Sequence, residues 1–155
     1  MKEFNVTGTC IPSQHYMVDI ENKLDQIERL VEKNKYFTIS RPRQYGKTTT
    51  MFLLAQRLKN DYLVIKMSFE GYDQEIYNSP SVFINEFLLT LIDKLEFLQE
   101  RKLISLIKEK IDLITNMRML SRLITKIISE ADKELVLMID EVDKSSNNQL
   151  FLDFI

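Results

Sequence analysis

The sequence predicts an α/β fold, a parallel sheet flanked by helices. Three observations carry that expectation. Short apolar or β-branched runs at 36–40, 62–69 and 135–139 alternate with stretches of helical periodicity. A helical stretch of about a dozen residues joins the first two runs, the minimum length for a right-handed parallel crossover. The third run, Leu135-Val136-Leu137-Met138-Ile139, is uninterrupted, which predicts burial on both faces, as in the middle of a parallel sheet.

The 155 residues, 45% of them hydrophobic and 28% charged, are enough to bury the core of one globular domain. Lys and Arg number 21 against 23 Asp and Glu, for a net charge of −2, so no global basic field draws in nucleic acid or an anionic membrane, and only a local basic patch is left open. A single Cys10 excludes an internal disulfide and a cysteine-based metal site, in keeping with a reducing cytosol. The N-terminus lacks an apolar signal segment, and no apolar run approaches the roughly 20 residues of a bilayer span. These features predict a soluble, cytoplasmic protein with no membrane partner. Glycine occurs only at 8, 46 and 71, which excludes a G-x-G-x-x-G dinucleotide turn.

Along the chain, Ile20, Leu24, Ile27, Leu30 and Val31 form a helical stripe that ends near Asn34-Lys35. Tyr36-Phe37-Thr38-Ile39-Ser40 reads as a short buried strand running into Arg41-Pro42, which breaks regular structure. Helical spacing resumes from Lys47 to Lys59 through Met51, Leu54, Ala55 and Leu58, and Tyr62 to Phe69 reads as the second strand. Ser79-Pro80 is a helix start, with Ser as N-cap and Pro in the first turn, followed by a stripe from Ile84 to Leu98. Two more helical segments run through Leu103–Ile114 and Leu120–Ile128 before the third strand; core cover is the preferred reading of this helical region, and a partner surface the alternative. Met117, Met119 and Met138 read as core filling.

At the first strand-to-helix turn stands Arg41-Pro42-Arg43-Gln44-Tyr45-Gly46-Lys47-Thr48-Thr49. A helix N-terminus offers amide N–H groups and a positive dipole end to a phosphate. In the G-x-x-x-x-G-K-[ST] loop the backbone amides wrap the phosphates, the Lys reaches the terminal ones, and the hydroxyl holds Mg²⁺. Gly46, Lys47 and Thr48 fill the second half of that pattern, with Arg43, Gln44, Tyr45 and Thr49 completing the expected cradle. The first glycine would fall at 41, which is Arg. A chance Gly-Lys-Thr tripeptide is the alternative, and the strand before and helix after weigh against it.

The third strand ends in Asp140-Glu141, at the edge where open parallel sheets place ligands. In this Walker B pattern Asp140 is the expected Mg²⁺ ligand and Glu141 the general base for the attacking water. The alternative is two acidic residues opening an exposed loop. Small GTPases need Asp-x-x-Gly here, whereas this chain has Asp140-Glu141-Val142-Asp143, so GTP is disfavoured and ATP expected.

Together, Ser40–Thr48 and Leu137–Asp143 resemble the AAA-ATPase-like family of prokaryotic P-loop ATPases, which tolerates Arg-Pro-Arg in place of the first glycine. Thr7-Gly8-Thr9-Cys10-Ile11-Pro12 and His15-Tyr16-Met17-Val18-Asp19 are similar to its N-terminal signature, so the resemblance covers nearly the whole chain. It implies an AAA+-like P-loop NTPase sheet, Lys47 on the phosphates, Thr48 and Asp140 at Mg²⁺, and Glu141 as base. It also makes Tyr16 a candidate for contact with the adenine, against the alternative of packing the N-terminal segment. His15 reads as a surface or core residue rather than a metal ligand. The expected organisation is a single domain over 1–155, with an N-terminal segment and helix at 1–35 and a nucleotide-binding core at 36–155.

Such ATPases continue to a sensor strand, an arginine finger and a helical lid, so the resemblance implies an N-terminal portion truncated after the Walker B strand. Loss of an arginine finger alone costs about 10³ to 10⁵ in rate. The expected function is therefore Mg²⁺·ATP binding, with hydrolysis in a complete or assembled form. The alternative is a nucleotide-gated scaffold with little turnover. The partner, protein or nucleic acid, and an oligomeric state are left open.

Overall fold

The computed structural model describes residues 2–4, 9–11, 13–16, 19–40 and 46–142. The chain divides into two compact units, Met1–Tyr62 and Leu63–Ile155.

In the first unit the N-terminal segment folds back on itself. Glu3 and His15 form a parallel bridge, with Glu3 N–H donating to the Gln14 carbonyl at 2.9 Å and Tyr16 N–H donating to the Glu3 carbonyl at 2.9 Å. Helix α1 (Glu21–Glu32) buries Leu24, Ile27 and Val31. Leu30, at the edge of the predicted stripe, is exposed. The helix stops where the sequence places its end: Asn34 is left-handed (φ 51°), and the amides of Lys35 and Asn34 donate to the carbonyls of Leu30 and Val31 at 3.0 and 2.8 Å. This is a Schellman cap with Asn in the position usually held by Gly.

Helix α2 (Lys47–Leu58) buries Thr50, Leu54 and Leu58 and packs on α1. Arg57 of α2 joins three carboxylates spaced along one face of α1: Glu21, Asp25 at 2.6 Å and Glu28 at 3.4 Å.

The expected strand at 36–40 is not formed. Tyr36 is 87% exposed, and no described segment forms a ladder with these residues. An apolar, β-branched pattern shows only that a segment can pair. Without a neighbour to take its backbone groups it remains irregular.

The second unit is α/β. Strand β1 (Leu63–Ser68) pairs in parallel with β2 (Leu135–Asp140), in a register running from Leu63↔Leu135 to Ser68↔Asp140. The crossover between them consists of α3 (Gln74–Asn78), α4 (Pro80–Phe97), α5 (Arg101–Lys110), a 3₁₀ turn at Ile111–Leu113 and α6 (Met117–Glu130). The strand pairing directly with the acidic strand is thus the one that follows α2.

Helix α4 is central. It buries Phe83, Ile84, Phe87, Leu88, Leu91, Ile92 and Leu95 and packs against β1, α3, α5 and α6. Each such side chain contributes about 1.5–3 kcal/mol of transfer free energy, so α4 anchors the unit. Ser79 precedes it in extended conformation with Pro80 in the first turn, as expected, but the Ser79 hydroxyl bonds that of Ser81 at 3.1 Å rather than capping an amide. Strand β1 buries alternate residues, Leu63, Ile65 and Met67.

Burial of β2 on both faces is not observed: only Met138 is buried and its neighbours are half-buried. Among the described residues the sheet has two strands, each an edge strand there, which leaves the apolar run partly open. The short α3 is not apparent from periodicity. It is nucleated by Asp73, whose carboxylate accepts from the Ile76 amide at 3.1 Å.

Candidate functional site

The first cluster is the N-terminus of α2. Gly46 is its N-cap, held left-handed at φ 72°, ψ 26°. Among the described residues a Cβ at Gly46 would meet nothing within 4 Å, so it is the left-handed backbone that favours glycine there. The Gly46 carbonyl turns inward and accepts both from the Thr50 amide and from the Thr50 hydroxyl, each at 2.8 Å. Thr50, 1% exposed, therefore locks the first turn.

Lys47 and Thr49 are half-buried and Thr48 is exposed. The Thr49 hydroxyl accepts from the Cys10 amide at 3.2 Å, tying the N-terminal segment to the start of α2. Arg43, Gln44 and Tyr45 lie outside the described residues.

The donor set at this helix end suits a phosphate. It combines a helix N-terminus, an ammonium group, a hydroxyl and a left-handed glycine.

The second cluster closes the sheet. Asp140 is the last residue of β2; its carbonyl accepts from the Phe69 amide at 3.0 Å, and its Oδ1 accepts from the Glu141 amide at 2.9 Å. Glu141 is left-handed (φ 59°), a conformation that costs a non-glycine residue about 1–2 kcal/mol. Both carboxylates are half-buried. Among the described residues no group of three or more His, Cys, Asp or Glu could hold a metal. Magnesium bound chiefly through phosphate oxygens needs only one or two carboxylates, so this donor set is compatible with it.

Gly46, Lys47, Thr48 and Thr49 thus share one helix end in the first unit, whereas Asp140 and Glu141 share one strand end in the second. Tyr16, 54% exposed, packs on Phe4 with ring centroids 5.0 Å apart. His15 accepts the Ile11 amide on Nδ1 at 2.9 Å, a local structural bond. Two features escaped the sequence reading. Thr50 was signalled only by the Thr48-Thr49-Thr50 run, and the strain at Glu141 had no signal. An open groove of about 630 Å³ at the α4–α5 corner, lined by Glu96, Gln99, Arg101, Ile104, Ser105 and Lys108, contains none of the predicted site residues.

A family model described as an AAA-like domain matches residues 8–155. No curated protein matches the chain. No solved structure does either. Among the described residues, no helix is long and apolar enough to cross a membrane.

Proposed function

The chain belongs to the AAA-like domain family, and from that premise we propose that it binds Mg²⁺·ATP through a phosphate loop ending in Gly46-Lys47-Thr48 and an acidic strand end at Asp140-Glu141. The observation that supports this most is the left-handed Gly46 capping α2, followed at once by an ammonium and a hydroxyl. Backbone amides at that helix end accommodate phosphate oxygens, and Lys47 offsets their charge. Thr48 and Asp140 are the residues that would hold the metal. The nucleotide, when bound, supplies a phosphoanhydride bond and the metal polarises it. Glu141 would accept a proton from the attacking water, a role a carboxylate can fill. Arg43, Gln44, Tyr45 and Thr49 extend the cradle, and Tyr16 is the candidate for contact with the base.

Addition of Mg²⁺·ATP is expected to raise the melting temperature, and K47A is expected to abolish the rise. An equal rise in K47A defeats the reading. In E141Q, retained binding with lost turnover identifies hydrolysis. A nucleotide-gated scaffold would instead keep its partner response unchanged in that variant.

A further inference from the structure

The outer face of α6 carries a row of exposed cations that form no ion pair among the described residues. Arg118, Arg122 and Lys126 recur at every fourth residue, all exposed. They therefore stand on successive turns about 6 Å apart along the axis. Among the described residues no carboxylate lies within 4.0 Å of any of the three. Sequence reinforces the geometry, because no Asp or Glu occurs between Leu113 and Ser129. Glu130, the first carboxylate after the row, faces Lys126 but is held by Lys102 at 2.8 Å. The exposed cations at the C-terminal end of α1, Arg29 and the C-cap Lys33, are by contrast interspersed with Asp25, Glu28 and Glu32. Like charges four residues apart cost a helix about 0.2–0.5 kcal/mol per pair, a cost that folding does not recover.

Ser121 and Thr125, which lie between the cations, and Ser129, which follows Lys126, are also exposed. Thr125 donates its hydroxyl proton to the Ser121 carbonyl at 3.0 Å and Ser129 donates to the Lys126 carbonyl at 2.8 Å. The donors this face offers outward are therefore mainly guanidinium and ammonium groups. The apolar side of α6, namely Leu120, Leu123 and Ile127, is already buried in the core.

We propose that this face of α6 binds the sugar–phosphate backbone of a nucleic acid without reading its sequence. Charge complementarity selects the occupant: a local row of three cations on a chain of net charge −2 suits a regularly spaced polyanion. A duplex carries one phosphate per about 1.7 Å of axis, so a row about 12 Å long spans several phosphates. A bilayer suits it less, because an interfacial helix must bury an apolar face and that of α6 is taken. No residue of this face belongs to the proposed nucleotide site, so the two readings stand or fall separately.

The test is fluorescence anisotropy of the full chain with labelled random-sequence oligonucleotides, as single-stranded DNA, duplex DNA and single-stranded RNA, between about 50 and 200 mM NaCl. Binding is expected to weaken with salt, with a log–log slope of about −2 to −3 for three phosphate contacts. The arm that binds tightest identifies the form of backbone preferred. R118E/R122E/K126E is expected to bind at least about tenfold more weakly with a slope near zero. The milder R118Q/R122Q/K126Q covers the case in which charge reversal impairs folding. R29E/K33E/K35E changes net charge equally at and just beyond the C-terminal end of α1 and is expected to keep most of the binding. The proposal is overturned if no oligonucleotide binds at the lowest salt, or if both reversal triples weaken binding equally. It is also overturned if the row serves binding to phosphatidylserine vesicles and not to any oligonucleotide.

Discussion

Replacing Gly46 by Ala isolates the backbone requirement at the start of α2. The left-handed φ of 72° costs an L-residue about 1–2 kcal/mol. The described residues add no steric contribution, because none of them lies within 4 Å of the Cβ. Against this, alanine restricts the unfolded chain and returns about 0.4–1 kcal/mol. The net expectation is a loss of about 1 kcal/mol, a fall of roughly 2–4 °C in melting temperature for a chain of this size. Urea denaturation monitored by circular dichroism measures it through a lower midpoint at unchanged slope. G46N, whose side chain tolerates the left-handed region, is expected to recover part of the loss. If G46A is as stable as the parent chain, Gly46 is not held left-handed, and the account of how α2 begins fails with it. Phosphate binding is a separate readout, since the strain is paid in the folded state whether or not a ligand is present.

Tyr77, 1% exposed, has a hydroxyl with no hydrogen-bond partner among the described residues, and burial raises its pKa. Y77F removes that unsatisfied group and is expected to be neutral or stabilising by about 1 kcal/mol in urea, whereas a clear loss would show that the hydroxyl is bonded. Gln99 ends α4 at φ 62°, with the amides of Glu100 and Gln99 donating to the carbonyls of Leu95 and Glu96. Q99G, at the usual glycine position of that cap, is expected to stabilise by about 0.5–1 kcal/mol, and destabilisation would mean the side chain carries a contact that outweighs the strain. R57A breaks three partly exposed ion pairs, and the expected loss of about 1 kcal/mol should shrink in molar salt; an undiminished loss would assign it to packing. A bond from Lys102 and its charge hold the Glu130 carboxyl below the usual range, and the same bond holds Lys102 above its own. The contribution of Glu130 is present above the ordinary carboxylate pKa and disappears as pH falls through the lowered value, so the stability gap between the parent and E130Q should close in acid; a pH-independent gap contradicts this.

Most helices were legible because each is amphipathic against a real surface. The stripes of α1, α2, α4 and α6 put Leu24, Leu54, Phe87 and Leu123 where burial is observed. Strands β1 and β2 were legible within a residue or two, since dense apolar runs between turn residues have few other uses. The segment 36–40 has the same composition and is no strand. Pairing is a property of two segments, and a sequence window displays only one. Helix α3 was missed for a different reason: five residues are too few for periodicity, and only Asp73 as a cap marks its start.

The candidate site divides along the same line. Gly46 announces itself, because the chain spends few glycines and this one precedes a helix. The left-handed Glu141 does not, because positions of that conformation usually attract Gly or Asn. Its geometry is imposed by neighbours that can be named. The parallel register ends at Ser68↔Asp140, the Phe69 amide fixes the Asp140 carbonyl, and the Asp140 carboxylate takes the Glu141 amide, so the backbone turns sharply on leaving β2. A glycine would make that turn at lower cost and would forfeit the carboxylate. A glutamate at this left-handed position keeps at the strand end a carboxylate that glycine would lack, and strain of this kind clusters at functional sites.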